Sequence, residues 1–216
     1  MMVQKKAQFI TLEGVEGAGK TTQKNALCVL MELNQIPYIE TREPGGTPYS
    51  EAIRALLLDH TNDLPVARTE LLLMFAARAQ HLETKIIPAL AHGTWVICDR
   101  FTDATYAYQG GGRQLPMEWI EILESLVQDT LRPDLTLIFD VPADVGLARA
   151  SRRGTLDRIE SEDIAFFERV RETYREIAKK NPARVVTLDA TDDVQTVTNR
   201  MYELLLARWG LICRPG

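Results

Sequence analysis

AQFITLEGVEGAGKTTQKNALCVLMELN, residues 7–34, joins an apolar strand candidate, Ala7–Glu13, to a helix candidate, Gly19–Asn34, through a glycine-rich bend. The bend, Gly14-Val15-Glu16-Gly17-Ala18-Gly19-Lys20-Thr21, satisfies the G-x-x-x-x-G-K-[ST] pattern in the strand–loop–helix setting that gives the pattern its meaning. Glycines at 14, 17 and 19 let the backbone turn tightly and aim the amides of the bend at phosphate oxygens, and the helix behind it adds its positive end. In this reading Lys20 neutralises the β- and γ-phosphates of ATP, and the Thr21 hydroxyl ligates Mg²⁺.

Outward from the bend, strand-like apolar runs alternate with helix-length amphipathic segments to the end of the chain, which predicts a parallel α/β sheet. The further strand candidates are Tyr38–Arg42, Thr94–Asp99, Leu135–Asp140 and Arg184–Asp189. Near-continuous apolar runs of this kind suit strands covered on both faces. Helices are expected at Pro48–Asp59, Ala67–His92, Thr102–Tyr108, Met117–Thr130, Ala143–Ala150, Glu162–Lys180 and Asp192–Arg208, with breakers such as Pro44-Gly45-Gly46 and Gly110-Gly111-Gly112 between elements.

A chain of 216 residues, 45% apolar and without repeats or low-complexity tracts, is expected to fold as one domain over 1–216. Its net charge of −5 argues against a nucleic-acid footprint, which leaves small nucleotides as partners. Cys28, Cys98 and Cys213 form no CxxC pair. No apolar run approaches the length of a membrane span and the first residues lack a signal-peptide core, so a cytoplasmic protein is expected.

The third strand candidate ends in Asp99-Arg100, at the sheet edge where the glycine-rich bend also lies. An acid there is placed to hold Mg²⁺ or its water, and a guanidinium to hold an acceptor phosphate bidentately; a structural ion pair capping the strand is the plainer alternative. The phosphate loop with Glu16, Thr41-Arg42-Glu43-Pro44-Gly45-Gly46-Thr47, Ala76-Ala77-Arg78-Ala79-Gln80-His81, Asp99-Arg100, Ala107-Tyr108-Gln109-Gly110-Gly111-Gly112-Arg113, Arg132-Pro133-Asp134 and Leu156-Asp157-Arg158-Ile159-Glu160 follow in that order. With these motifs the sequence resembles thymidylate kinase of the bacterial type over nearly its whole length.

The resemblance implies a P-loop three-layer fold of the nucleoside monophosphate kinase type, with a five-stranded parallel sheet flanked by helices. It implies transfer of the γ-phosphoryl group of MgATP to dTMP, giving dTDP and ADP, and a homodimer built on helix faces. It sets Glu16 near the sugar 3′-hydroxyl, Arg42 and Arg100 on the acceptor phosphate, and the Glu43-Pro44 turn around that pocket. Arg78 shares a helix face with Met74 and Phe75, a face suited to covering a flat base while Arg78 donates to it, with a core Phe beside a surface Arg as the plainer alternative; many relatives carry the stacking Phe where this chain has Met74, and which residue stacks stays open. Thr105, Tyr108 and Gln109 fall around base and sugar, with Tyr108 sized to crowd a 2′-hydroxyl.

Arg149, Arg152, Arg153 and Arg158 cluster around Gly154 in a stretch read as a lid over about 149–160. Since Gly17 stands where some thymidylate kinases carry a basic residue, the catalytic arginine is expected from the lid: Arg153 first, with Arg149 on ATP and Glu160 helping to hold Mg²⁺ through water. A kinase for another nucleoside monophosphate or a deoxynucleoside is the alternative, and Arg78, Thr105 and Gln109 would discriminate it. A guanine-reading Asn-Lys-x-Asp signature is absent, which disfavours a nucleotide switch.

Overall fold

β1 (Phe9–Glu13) is buried along its whole length, as the middle strand of a sheet with helices on both faces must be. It is seen in a computed structural model that describes residues 6–59, 64–152 and 157–212. β2 (Tyr38–Arg42), β3 (Trp95–Asp99), β4 (Leu135–Asp140) and β5 (Val185–Asp189) complete a five-stranded sheet in the order β2-β3-β1-β4-β5, and every pairing is parallel. The chain leaves β1 toward β2 but leaves β3 toward β4, so a topological switch point lies between β1 and β3, at whose C-terminal ends ligands bind in open α/β sheets.

Alternation along the strands builds the two faces. Ile10, Leu12, Trp95 and Ile97 meet Leu27, Leu30 and Met31 of α1 (Lys20–Leu33). Phe9, Val96 and Cys98 turn the other way, onto Leu82, Ile86 and Phe101. The further helices are α2 (Pro48–Leu58), α3 (Ala67–His81), α4 (Ile87–Ala91), α5 (Thr102–Thr105), α6 (Met117–Gln128), α7 (Ala143–Ser151), α8 (Ile164–Lys180) and α9 (Val194–Trp209). Thr47, Asp163 and Asp193 cap α2, α8 and α9 by accepting the amides of Ser50, Phe166 and Thr196.

Several expected boundaries move inward: Ala7, Gln8, Thr94 and Arg184 lie outside their strands, and Asp163 and Asp193 are caps rather than helical residues. The expected helix over 67–92 is one rod whose hydrogen bonding changes to a π-helical turn at Leu82–Ile86. Pro88 lacks an amide hydrogen and its ring crowds the carbonyl of Thr84, so the regular pattern does not run through. A second π-helical turn, Tyr106–Gly112, extends α5 beyond its expected end at Tyr108. There the glycine run is a seat for α8: a Cβ at Gly111 would strike Thr173 and one at Gly112 would strike Phe166. Cys28 and Cys98 are buried free thiols; Cys213 falls outside the described residues.

Candidate active site

The loop after β1 and the loop after β3 meet at the switch point. Gly14 and Gly17 have φ of 135° and 70°, values that favour glycine, and a Cβ on Gly17 would collide with the carbonyl of Gly146 on α7. The contact is mutual, because a Cβ on Gly146 would collide with the carbonyl of Glu16. Phosphate loop and α7 thus touch backbone to backbone. The Lys20 ammonium lies across the bend, donating to the carbonyls of Gly14 and Val15 at 3.0 Å each. Burial lowers its pKa, as does nearby Arg100, against the carboxylates of Glu16, Asp99 and Glu13. Val15 itself turns into the core.

Arg100 sits in the left-handed region at φ 66°, which turns the chain sharply after β3. Its guanidinium donates to the Gly14 carbonyl at 2.9 Å and the Tyr174 hydroxyl at 3.3 Å, pairs with Glu16, and lies 4.7 Å from the centre of the Tyr108 ring. Burial opposes its charge, but Glu16 beside it holds its pKa well above the usual arginine value. Below it, Glu13 accepts from the Phe101 amide and the Tyr174 hydroxyl, both at 2.7 Å. Burial, reinforced by Asp103, pushes the Glu13 carboxyl up to about 8.

Two hollows open here. One is a trench along the phosphate loop, from Gly17 to Thr22, walled by Arg42, Asp99, Arg149 and Glu160. The other is an apolar-lined cavity between Pro44, Leu58, Met74, Phe101, Ala104, Thr105, Tyr108 and Gln109. Glu16, Glu43, Arg54, Arg100 and Asp157 line both, so the hollows share one wall. In the cavity, Arg78 donates through Nε to Glu43 at 2.7 Å and through Nη2 to Thr105 at 2.9 Å. Its Nη1 is the one buried side-chain polar atom among the described residues without a partner.

The sequence-predicted residues fall into three groups. Lys20, Thr21, Arg42, Asp99, Arg149 and Glu160 converge on the trench, Pro44, Met74, Arg78, Thr105, Tyr108 and Gln109 on the cavity, and Glu16, Glu43 and Arg100 on both. Phe75 is not a wall of either hollow; it packs with Leu71 and Ile120, and the Arg78 guanidinium lies 4.8 Å from its ring centre, so of the pair only Met74 lines the cavity. Arg158 does not join the lid cluster either. It donates to Glu70 at 2.6 Å and to the Leu57 carbonyl at 2.8 Å, and Glu70 also takes Gln109 and Arg113. Its anionic partner is therefore a buried glutamate. Arg153 lies outside the described residues.

Sequence reasoning missed Arg54 and Phe101. Arg54 donates to the Pro44 carbonyl at 2.9 Å and faces both hollows, and Phe101 lines the cavity. A polar face on α2 pointing back toward the Pro44 turn was the available signal for Arg54; Phe101 reads as an ordinary core residue.

The family model described as Thymidylate kinase matches residues 12–201. The chain is 57% identical over 197 residues to thymidylate kinase from Pseudomonas entomophila (strain L48), covering 91% of this chain and 94% of that protein. It is 59% identical over 197 residues to thymidylate kinase from Ectopseudomonas mendocina (strain ymp), with the same coverage. The crystal structure of thymidylate kinase from Ehrlichia chaffeensis superposes with a TM-score of 0.74 at 36% identity, covering 92% of this chain and 98% of that one.

Proposed function

The chain belongs to the thymidylate kinase family, and from that premise we propose how its residues move the γ-phosphoryl group of ATP to the 5′-phosphate of dTMP, giving dTDP and ADP. The observation that carries the reading is the shared wall between a phosphate trench and a base-sized cavity. A donor and an acceptor held on its two sides meet in line at Arg100.

On the donor side, the amides from Gly14 to Thr21 and the Lys20 ammonium take the triphosphate oxygens, and Arg149 holds ATP from α7. Thr21, Asp99 and Glu160 bring hard oxygen donors to one trench, which fits Mg²⁺, an ion held by one or two carboxylates with phosphates and waters. When bound, Mg²⁺ supplies charge neutralisation at the transferring phosphoryl group. Among the described residues no three His, Cys, Asp or Glu side chains form a closed metal cage.

On the acceptor side, Arg54 and Arg100 on the shared wall and Arg42 from the trench grip the phosphate of dTMP, Met74 and Phe101 cover the base, and the unpartnered Nη1 of Arg78 donates to a base carbonyl. Thr105 and Gln109 border the base; Glu16 takes the sugar 3′-hydroxyl and Tyr108 crowds the place of a 2′-hydroxyl. An acceptor phosphate oxygen attacks the γ-phosphorus, the bond to the β-phosphate oxygen breaks, and ADP leaves with that electron pair. The attacking oxygen is already anionic, so the residues act by position and charge and no strong base is needed. Arg153 is assigned the catalytic lid arginine.

The enzyme is further read as one domain over 1–216 acting as a cytoplasmic homodimer. Leu72 and Ile122 are exposed at 51% and 65% beside Trp119, an apolar face of α3 and α6 that a second copy would cover. No described helix is long and apolar enough to cross a membrane. A coupled ADP-release assay with Mg²⁺ across dTMP, dUMP, dCMP, dGMP, AMP and thymidine tests the reaction. dTMP is expected to be the best acceptor; a different preferred acceptor overturns the specificity, and no ATP turnover overturns the whole.

A further inference from the structure

His81 lies on α3 one turn beyond Arg78 and is 0% exposed, yet it lines neither hollow. Both ring nitrogens are used: Nδ1 faces Glu43 Oε1 at 3.0 Å, and Nε2 faces the Thr41 hydroxyl at 2.6 Å. A carboxylate oxygen only accepts, so Nδ1 carries the hydrogen; in the neutral ring Nε2 then accepts from Thr41. Glu43 therefore has one oxygen held by His81 and the other by Arg78. A chain of hydrogen bonds runs from the edge of the sheet to the guanidinium whose buried Nη1 has no partner.

A buried histidine that only fills space gains nothing over leucine and adds the desolvation of two ring nitrogens. Here those nitrogens prevent rotation of the Glu43 carboxylate, and through it they fix the plane of Arg78. The turn after β2 closes on the same ring, because a Cβ at Gly46 would strike His81 Nε2 and the Thr41 hydroxyl. We propose that His81 is a positioning residue for base recognition: by locking Glu43 it aims Arg78 Nη1 into the cavity and sets the preference for a base carbonyl over a base amino group. The proposal rests on the reading that Arg78 meets the base of the acceptor.

The test is steady-state kinetics of the full-length enzyme with dTMP, dCMP and ATP. Loss of a buried hydrogen bond to a charged group is expected to raise the dTMP KM of His81→Leu about tenfold, while kcat and the ATP KM stay within about twofold. The dTMP-over-dCMP preference falls alongside, because a guanidinium free to turn no longer penalises an amino group in the carbonyl position. His81→Asn, which keeps a donor for Glu43, restores most of the dTMP KM. In an Arg78→Ala background His81→Leu adds nothing, since its effect runs through Arg78.

An unchanged dTMP KM in folded His81→Leu overturns the proposal, and so does a loss shared equally by kcat and the ATP KM or a full multiplicative loss in the double variant. If His81→Leu does not fold, Thr41→Val removes only the outer bond and is expected to raise the dTMP KM about threefold; no rise overturns the proposal equally. A normal dTMP KM in Arg78→Ala alone is a different failure, because it removes the base-site reading beneath the proposal.

Discussion

The phosphate trench and the base cavity are neighbours built by different means. The trench is mostly backbone: one contiguous run, Gly14 to Thr21, bent by glycines and backed by a helix end. The cavity is mostly side chains drawn from distant positions, with Arg78 of α3 fixed by Glu43 after β2 and by Thr105 of α5. The cradle depends on its glycines and on the one ammonium laid across it. Side-chain cavities lose affinity in proportion to how their supports are disturbed.

That contrast is sharpest at Lys20. Replacing it with alanine is expected to lower kcat by about 10³-fold, because a preorganised charge on the moving phosphoryl group is lost. The melting temperature should change little, and a variant with near-normal turnover would break the assignment. Arg100→Ala should follow with a loss of about 10²-fold in kcat/KM for dTMP, again by removal of charge. With Arg100 assigned to the acceptor phosphate, its loss is expected to affect the dTMP KM more than the ATP KM, and initial-rate measurements on both substrates check this.

On the cavity side the effects divide between binding and folding. Met74→Ala is expected to raise the dTMP KM about tenfold, consistent with losing apolar cover over a base. Phe75→Leu should leave that KM unaltered but lower stability by about 1–2 kcal/mol, because its ring packs against Leu71 and Ile120. Denaturant titrations beside KM values separate the pair, and the reverse pattern would put the ring on the base.

The last expected effect is a slope with pH. The folded Glu13 carboxyl titrates at about 8 rather than 4.5, so between those values the folded chain binds more protons than the unfolded one. Its contribution to stability is fully present below pH 4.5 and is lost as the pH rises toward 8. The expected slope is on the order of 1 kcal/mol per pH unit, and Glu13→Gln should flatten it. Against burial, Glu70 is held low by the Gln109 amide with Arg113 and Arg158, and Asp140 by Arg171 and Arg175; both lose their contribution only in more acidic solution and do not overlap this window. Stability curves from pH 5 to 8 in both proteins decide the matter.

The sheet and the trench were legible because their signals are local. A strand, a bend and a helix start stand within residues 7–34, and Asp99-Arg100 closes a strand whose apolar run is plain. The cavity was legible mainly through resemblance, since nothing near Arg78 in the chain announces Glu43 or Thr105 as its partners. Spacing alone put Met74 and Phe75 on the same side as Arg78, and only packing against Leu71 and Ile120 separates them. Arg158 misled for the same reason: its proximity to Arg149 in sequence concealed Glu70, which is 88 positions away. The π-helical turns were invisible because hydrogen-bond register is decided by Pro88 and by the seat of α8, not by composition.

The mutual collision of Gly17 and Gly146 has a consequence for how such an enzyme changes over generations. With two bare backbones pressed together, no side chain of any kind enters position 17 while α7 keeps its place. Placing a cation at this point of the loop is therefore no single-codon event: a whole helix must first withdraw. A designer wishing to put a side chain there must rebuild both sides of the seam at once.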